Sequence, residues 1–257
     1  MKIVIHFCLA VACLMSVACS KSFAQANAAL EKSQQAGQFT FVVFYRDNTS
    51  PTQKMLSVVQ QAAASHGERA TMTTASMATP EGQALAEQFK VSRAPMPMTV
   101  AVAPNGAVTG LFSRQVAKAN IDAAIVPPVM MECMKQLQDQ KLVFVCLTES
   151  DQAAVPAGVR ALQLDPLFKD RMALIALNVR SVEEARLMQQ LKVDAKQVQG
   201  PYAALIAPPG VLVGHFTGTS TAEQIAAAIH KAGKCCDDPN CKHATSTQAS
   251  SVSTSRR

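Results

Sequence analysis

The chain has 257 residues, 49% of them hydrophobic and only 16% charged, enough apolar material for one large core or two of ordinary size. Its formal charge of +6 comes from basic residues scattered along the sequence, not gathered into a stripe with interleaved aromatics. Nucleic acid is therefore set aside as a partner.

In chain order, residues 1–26 read as a secretory signal: Lys2, an apolar run from Ile3 to about Ala18, then small residues ending in Ala24-Gln25-Ala26. That run is too short and too weakly flanked for a stable membrane span. Cleavage after Ala26 would leave Asn27 as the first residue. The alternative is lipid attachment at Cys19, after the small residues Ser16-Val17-Ala18, although Ser16 stands where a bulky aliphatic is usual; only then would the protein sit on a membrane. Both readings take the protein out of the cytoplasm, to the periplasm or beyond. Cys133, Cys146, Cys235, Cys236 and Cys241 then face an oxidising compartment, and their odd number leaves at least one free, metal-bound or paired with another molecule.

A short helix is expected at about Ala28 to Gln35, followed by a near-continuous apolar strand, Phe39 to Tyr45, the pattern of a strand covered on both faces. Met55, Val58, Val59 and Ala62 then recur at helical spacing. A weak strand follows in "RATMTTASM", and Thr79-Pro80-Glu81 starts a helix with Leu85 and Phe89 on one face. After Pro97 come two short apolar strands joined by the turn signal Asn105-Gly106, then a helix with Ile121 and Ile125 facing inward.

The same order returns from about Met131. A helix to Gln138 leads into the strand "KLVFVCL", a helix starting late after Pro156 and Gly158, the strong strand "MALIALNV", and a helix that Ser181 and Glu184 would open as a capping box. Pro201, the turn Pro209-Gly210 and a last helix capped by Ser220 with Glu223 complete it. Lys90-Val91 aligns with Lys192-Val193, Pro97 with Pro201, Gly106 with Gly210, and Phe112 with Phe216, at an offset of 102 that becomes 104. A repeat of ~100 residues is the size of a domain, so the chain is a tandem duplication over residues 27–127 and 128–233, with a tail over 234–257.

The order αβαβαββα, with a proline opening the first hairpin strand nine residues before a turn glycine, resembles the thioredoxin family. The resemblance implies an α/β fold: two tandem thioredoxin-like domains, each a central mixed sheet flanked by helices. Aligning Phe44 with the family's strand-end Phe places Thr49-Ser50-Pro51-Thr52 on the C-x-x-C tetrad. Threonine hydroxyls offer neither a low-pKa thiolate nor a two-electron couple, so no catalytic residue is assigned. The matching residues of the second copy, Asp151 to Ala154, are equally inert. A plain structural reading covers the first loop: Ser50 as cap, Pro51 at the first helical position and Gln53 reaching back. The functional reading is a polar groove beside Pro97 that binds a peptide or a small ligand without chemistry. The resemblance implies that Pro97 and Pro201 hold the family's cis-proline position, with Pro95 as the competing residue in "APMPM".

Two sulfur-bearing regions remain. Cys146 is expected in a buried strand opposite Phe44 of the first copy. Cys133 sits among Met130, Met131 and Met134, which is either apolar packing or a thiolate and thioether set suited to Cu(I). After the last helix, "GKCCDDPNCKH" brings Cys235, Cys236, Cys241 and His243 within nine residues. Disulfides are the plain reading in an exported protein, for example Cys241 with Cys235 or Cys236 and the remaining one with Cys133. A copper or zinc site, with His230 as a further ligand, is the alternative, but the spacing matches no ordinary zinc module. The Ser/Thr-rich residues beyond show no apolar period and are expected to be disordered.

Overall fold

The computed structural model describes residues 21–149 and 154–233. The chain divides between Val126 and Pro127 into two compact units, one residue before the boundary expected from the repeat.

In unit 1, α1 (Lys21–Gln35) precedes β1 (Phe39–Tyr45), α2 (Ser50–Ser65), β2 (Ala70–Ser76), α3 (Pro80–Gln88), β3 (Met98–Val102), β4 (Val108–Ser113) and α4 (Lys118–Ala124). The strands form one sheet in the order β2-β1-β3-β4. β2 runs parallel to β1, while β3 and β4 are antiparallel to their neighbours. Central β1 is buried on both faces except at Tyr45, which is why it lacks apolar alternation. The weak β2 is an edge strand with only Ala70 and Ala75 buried, so its threonines are tolerated. Leu30, Val42, Phe44, Leu85, Val100 and Val102 share the core on the α1 and α3 face. On the other face α2 buries Met55, Val59 and Ala62, and α4 buries Ile121. The C-terminal end of α2 is tied to α4 by His66 Nε2, 2.7 Å from Asp122 Oδ1.

Unit 2 repeats the plan with α5 (Pro128–Gln138), β5 (Leu142–Thr148), α6 (Ala157–Leu164), β6 (Met172–Asn178), α7 (Ala185–Gln190), β7 (Tyr202–Ala207), β8 (Val211–Thr217) and α8 (Ala222–Ala232), in the sheet order β6-β5-β7-β8. Two such four-stranded mixed sheets flanked by helices are thioredoxin-like.

Several local expectations shift. Helix α1 begins at Lys21, running back through the expected cleavage site because Ala, Gln and Lys favour helix and nothing interrupts them. Helix α5 starts at Pro128, which fits the first turn because its missing N–H has no partner there anyway. In α2 the cap is Thr49 rather than Ser50, with extended dihedrals and no side-chain cap bond; Gln53 reaches it only through its backbone N–H. In α8 the capping box is Thr221 with Gln224, one residue beyond the expected pair. Ser220 Oγ instead accepts from the backbone N–H of Thr217.

The capping role expected for Glu184 on its own helix is absent. Its carboxylate is buried and accepts from the backbone N–H groups of Val129, at 2.7 Å, and Met130, at 3.3 Å. It thereby satisfies two orphan donors in the first turn of α5. Burial holds its carboxyl above the ordinary carboxylate range, although the two N–H bonds pull the other way.

The strand register corrects the placement of Cys146. Phe44 pairs with Met98 at the end of the β1–β3 ladder, and its counterpart at the end of the β5–β7 ladder is Leu147, paired with Tyr202. Likewise Tyr45 O accepts from Met77 N as Thr148 O accepts from Val179 N. Cys146 therefore matches Val43. A slip of one residue moves a side chain to the opposite face: Cys146 packs with Val159, Leu162 and Ile225 of α6 and α8, whereas Phe44 packs on the α1 and α3 side.

Candidate functional site

The loop after β1 carries the site. Central β1 delivers Arg46 and Asp47 to the sheet end, and α2 begins at once with Thr49 as cap. Thr49 is exposed and its hydroxyl donates to Asp47 Oδ1 at 3.1 Å. Thr52, one turn on, is buried, with its Oγ1 3.5 Å from that of Thr49. Facing them is the loop into β3, where the Met96–Pro97 peptide bond is cis and Pro97 O accepts from the backbone N–H of Arg114.

Between the two loops lies an open groove of ≈ 440 Å³, lined by Arg46, Asp47, Thr49, Pro51, Thr52, Ala94, Pro95, Met96 and Pro97. A second groove of ≈ 500 Å³ shares Arg46 and continues along Met77, Ala78, Gln83, Glu87 and Ser92. The structure thus brings Thr49, Pro51, Thr52 and Pro97 together, as the sequence reading supposed, and adds Arg46, Asp47 and the residues of the second groove. Among the described residues no cysteine lines either groove. The chemistry within reach is hydrogen bonding by hydroxyls and by the backbone of a loop in which Pro95 is exposed and Pro97 buried, with a guanidinium at the junction; among the described residues no thiol or redox couple lines it.

Among the described residues, unit 2 departs from this arrangement at its proline. The Gly200–Pro201 bond is not cis, so Pro201 does not hold the expected cis position; the cis bond of this unit is Pro208–Pro209, in the β7–β8 turn. Pro201 instead sits against Gly218, within 3.5 Å of where that residue's Cβ would be. The Tyr202 and His215 rings lie 5.8 Å apart, and His215 Nε2 donates to Leu191 O at 2.8 Å. Of the residues expected opposite the first loop, Asp151, Gln152 and Ala153 lie outside the described residues.

Cys133 and Cys146 are both buried and free. Burial, together with the carboxylates of Glu184 and Glu132, pushes the Cys133 thiol up to about 12. Burial alone pushes Cys146 up to about 11. Neither offers a thiolate nucleophile near neutral pH. Cys19, Cys235, Cys236, Cys241 and His243 lie outside the described residues. Among the described residues, no three His, Cys, Asp or Glu side chains gather where they could hold a metal ion, and no helix is long and apolar enough to cross a membrane.

No family model and no curated protein matches the chain. Solved structures similar to it include thioredoxin O2 from Arabidopsis thaliana in its oxidised state, at 14% identity over 41% of this chain and 87% of that one, TM-score 0.34. A thioredoxin variant from Halobacterium salinarum is 21% identical over 42% of this chain and 83% of that one, TM-score 0.31. The first two thioredoxin domains of Naumovozyma dairenensis Eps1p are 13% identical, spanning 82% of this chain and 96% of that one, TM-score 0.26. At such scores the likenesses carry no argument of their own. The repeated strand order, ladder registers and helix layers make this chain a tandem pair of thioredoxin-like domains.

Proposed function

We propose that the protein is an exported, non-catalytic binding or scaffolding protein of the cell envelope, whose first unit holds an extended polypeptide in the groove between Thr49 and Pro97. The observation that carries this reading is the groove itself. It keeps the loop geometry of a thioredoxin-like site, with Thr49 and Thr52 one turn apart beside Pro97, yet is lined by no thiol. The half-buried backbone of Ala94 and Met96 and the hydroxyl of Thr49 can bond a peptide backbone, which recognises extended chains with little regard to sequence. Export is supported by the N-terminal sequence alone. A soft-metal or redox role through Cys133 is disfavoured by the burial of its thiol.

The test uses the pre-reduced chain in two assays. In the first it meets a disulfide-bonded protein in a single turnover, and no thiol exchange is expected. In the second a photo-crosslinking residue replaces Thr49, and a permanently unfolded model polypeptide should be captured there but not by the same residue replacing Arg160 on α6. Disulfide reduction that depends on a cysteine of this chain would defeat the reading, as would equal capture at the two positions.

A further inference from the structure

The two grooves meet at Arg46, and each has a methionine in its wall: Met77 in one, Met96 in the other. Both residues are half-buried and pack against the core that holds Phe44, Leu85 and Met98. Each therefore lies between core and groove. The backbone holds Met77 there, its N–H donating to Tyr45 O at 2.7 Å and its carbonyl accepting from Gln83 Nε2 at 2.9 Å. Met96 immediately precedes Pro97. The charged residues of the two linings, Arg46 against Asp47 and Glu87, set no strong charge preference, so a ligand side chain seated here gains most from apolar contact.

The duplicated unit supplies an internal comparison. Met77 N bonds Tyr45 O as Val179 N bonds Thr148 O, so Met77 matches Val179. Met98 matches Tyr202 at the ladder ends, so Met96 matches Gly200. One copy of the frame carries sulfur at both positions and the other at neither. In unit 1 the grooves thus keep oxidisable sulfur as thioether, although among the described residues no thiol lines them.

On the reading of this groove as a polypeptide site, we infer that Met77 and Met96 are modification sites, and that their oxidation by a hydroperoxide releases the bound chain. A sulfur lone pair attacks one peroxide oxygen; the S–O bond forms as the O–O bond breaks. Sulfur loses two electrons, the proton of the transferred hydroxyl passes to the departing oxygen, and water leaves. A flexible apolar thioether becomes a polar sulfoxide, which keeps its water and no longer packs against an apolar side chain. Reduction by a methionine sulfoxide reductase returns the thioether, so the change is reversible. Exposure governs susceptibility: Met55, 2% exposed, and Met98, 6% exposed, are shielded in the same unit. Met72 on β2 is half-buried too, but lines neither groove.

The test treats the full chain with hydrogen peroxide, quenches with catalase at intervals, and maps sulfoxides by mass spectrometry. Each sample is then titrated by fluorescence anisotropy with a labelled, capped nine-residue peptide that has a central leucine and no sulfur. Met77 and Met96 should oxidise before Met55 and Met98. Affinity should fall in step with them by about tenfold, the order of one lost apolar contact, and methionine sulfoxide reductase with dithiothreitol should restore it. Recovery with dithiothreitol alone would trace the loss to cysteine and overturn the inference. The variant Met77→Leu with Met96→Leu, whatever its starting affinity, should show no change on peroxide treatment, whereas Met72→Leu should stay as sensitive as wild type. Persisting sensitivity in the first, or protection in the second, would overturn the assignment. Unchanged affinity with both sulfoxides formed would overturn the inference and leave the groove reading standing. No binding by the untreated chain would overturn both.

Discussion

The two units share strand order and ladder ends, yet differ at the end of the sheet beyond β1 and β5. At the first unit's sheet end, Thr49, Thr52 and Pro97 face an open groove with Arg46 at its junction. At the second, the positions of Arg46 and Ala78 hold the exposed ion pair Glu149 and Arg180, and Pro201 packs on Gly218. The frame is preserved by what it buries, whereas the rim is free to change because little packing depends on it. A similar divergence occurs inside the frame. Leu85 and Leu187 close equivalent helix ends, so Gly82 of α3 matches Glu184 beside α7. A Cβ on Gly82 would lie 1.9 Å from Ser76 O, while Glu184 uses its side chain to bond the start of α5.

The largest expected effect is a gain of chemistry. Thr49→Cys combined with Thr52→Cys should give a pair that air-oxidises to an intramolecular disulfide and confers turnover in a protein-disulfide reduction assay, from a parent that shows none. The hydroxyls already stand 3.5 Å apart at a helix start, where a thiolate is favoured. Failure of the pair to oxidise would break the equivalence of this loop with a thiol site.

Next, Gly82→Ala should destabilise unit 1 by about 3 kcal/mol in urea unfolding, because the methyl meets backbone and no flexible side chain can yield. Glu184→Ala should cost unit 2 about 2 kcal/mol by orphaning two N–H groups, and Glu184→Gln about half as much. The pH dependence has a definite sign. Burial raises this carboxyl above its ordinary 4.5, so the folded state holds the proton more tightly. Its contribution is full below that value and falls as pH rises through the folded pKa. The advantage of wild type over Glu184→Gln should accordingly narrow as pH rises from below 4.5 through the raised folded-state pKa.

The smallest effect should come from Arg180→Ala. It breaks an exposed pair and should change stability by less than about 0.5 kcal/mol. A larger loss would make that pair a structural element and weaken the contrast with Arg46.

The duplication, the element order and the buried helix faces at Leu85, Leu187, Ile121 and Ile225 were legible because apolar periodicity and turn residues encode them directly. Register was not, because a near-continuous apolar strand reads the same when shifted by one. Cys146 was consequently set opposite Phe44 instead of Val43. Caps failed for a related reason: Thr49 with Ser50 and Ser220 with Thr221 are adjacent hydroxyl residues, and only backbone dihedrals select one. Glu184 was assigned to its nearest helix because sequence cannot show a bond to Val129, 55 positions away. Of the site, Thr49, Pro51, Thr52 and Pro97 could be found by alignment. Arg46 could not, since only the fold makes its position the junction of two grooves.

The most direct measurement is backbone amide NMR of the isotopically labelled full chain during titration with a capped nine-residue peptide of extended-chain composition under non-reducing conditions. Saturable shifts confined to the groove residues Arg46, Asp47, Thr49, Thr52, Ala94 and Met96, with the peptide recovered unmodified, are the predicted result. Shifts centred on unit 2, or the absence of any saturable shift in that groove, would contradict the account.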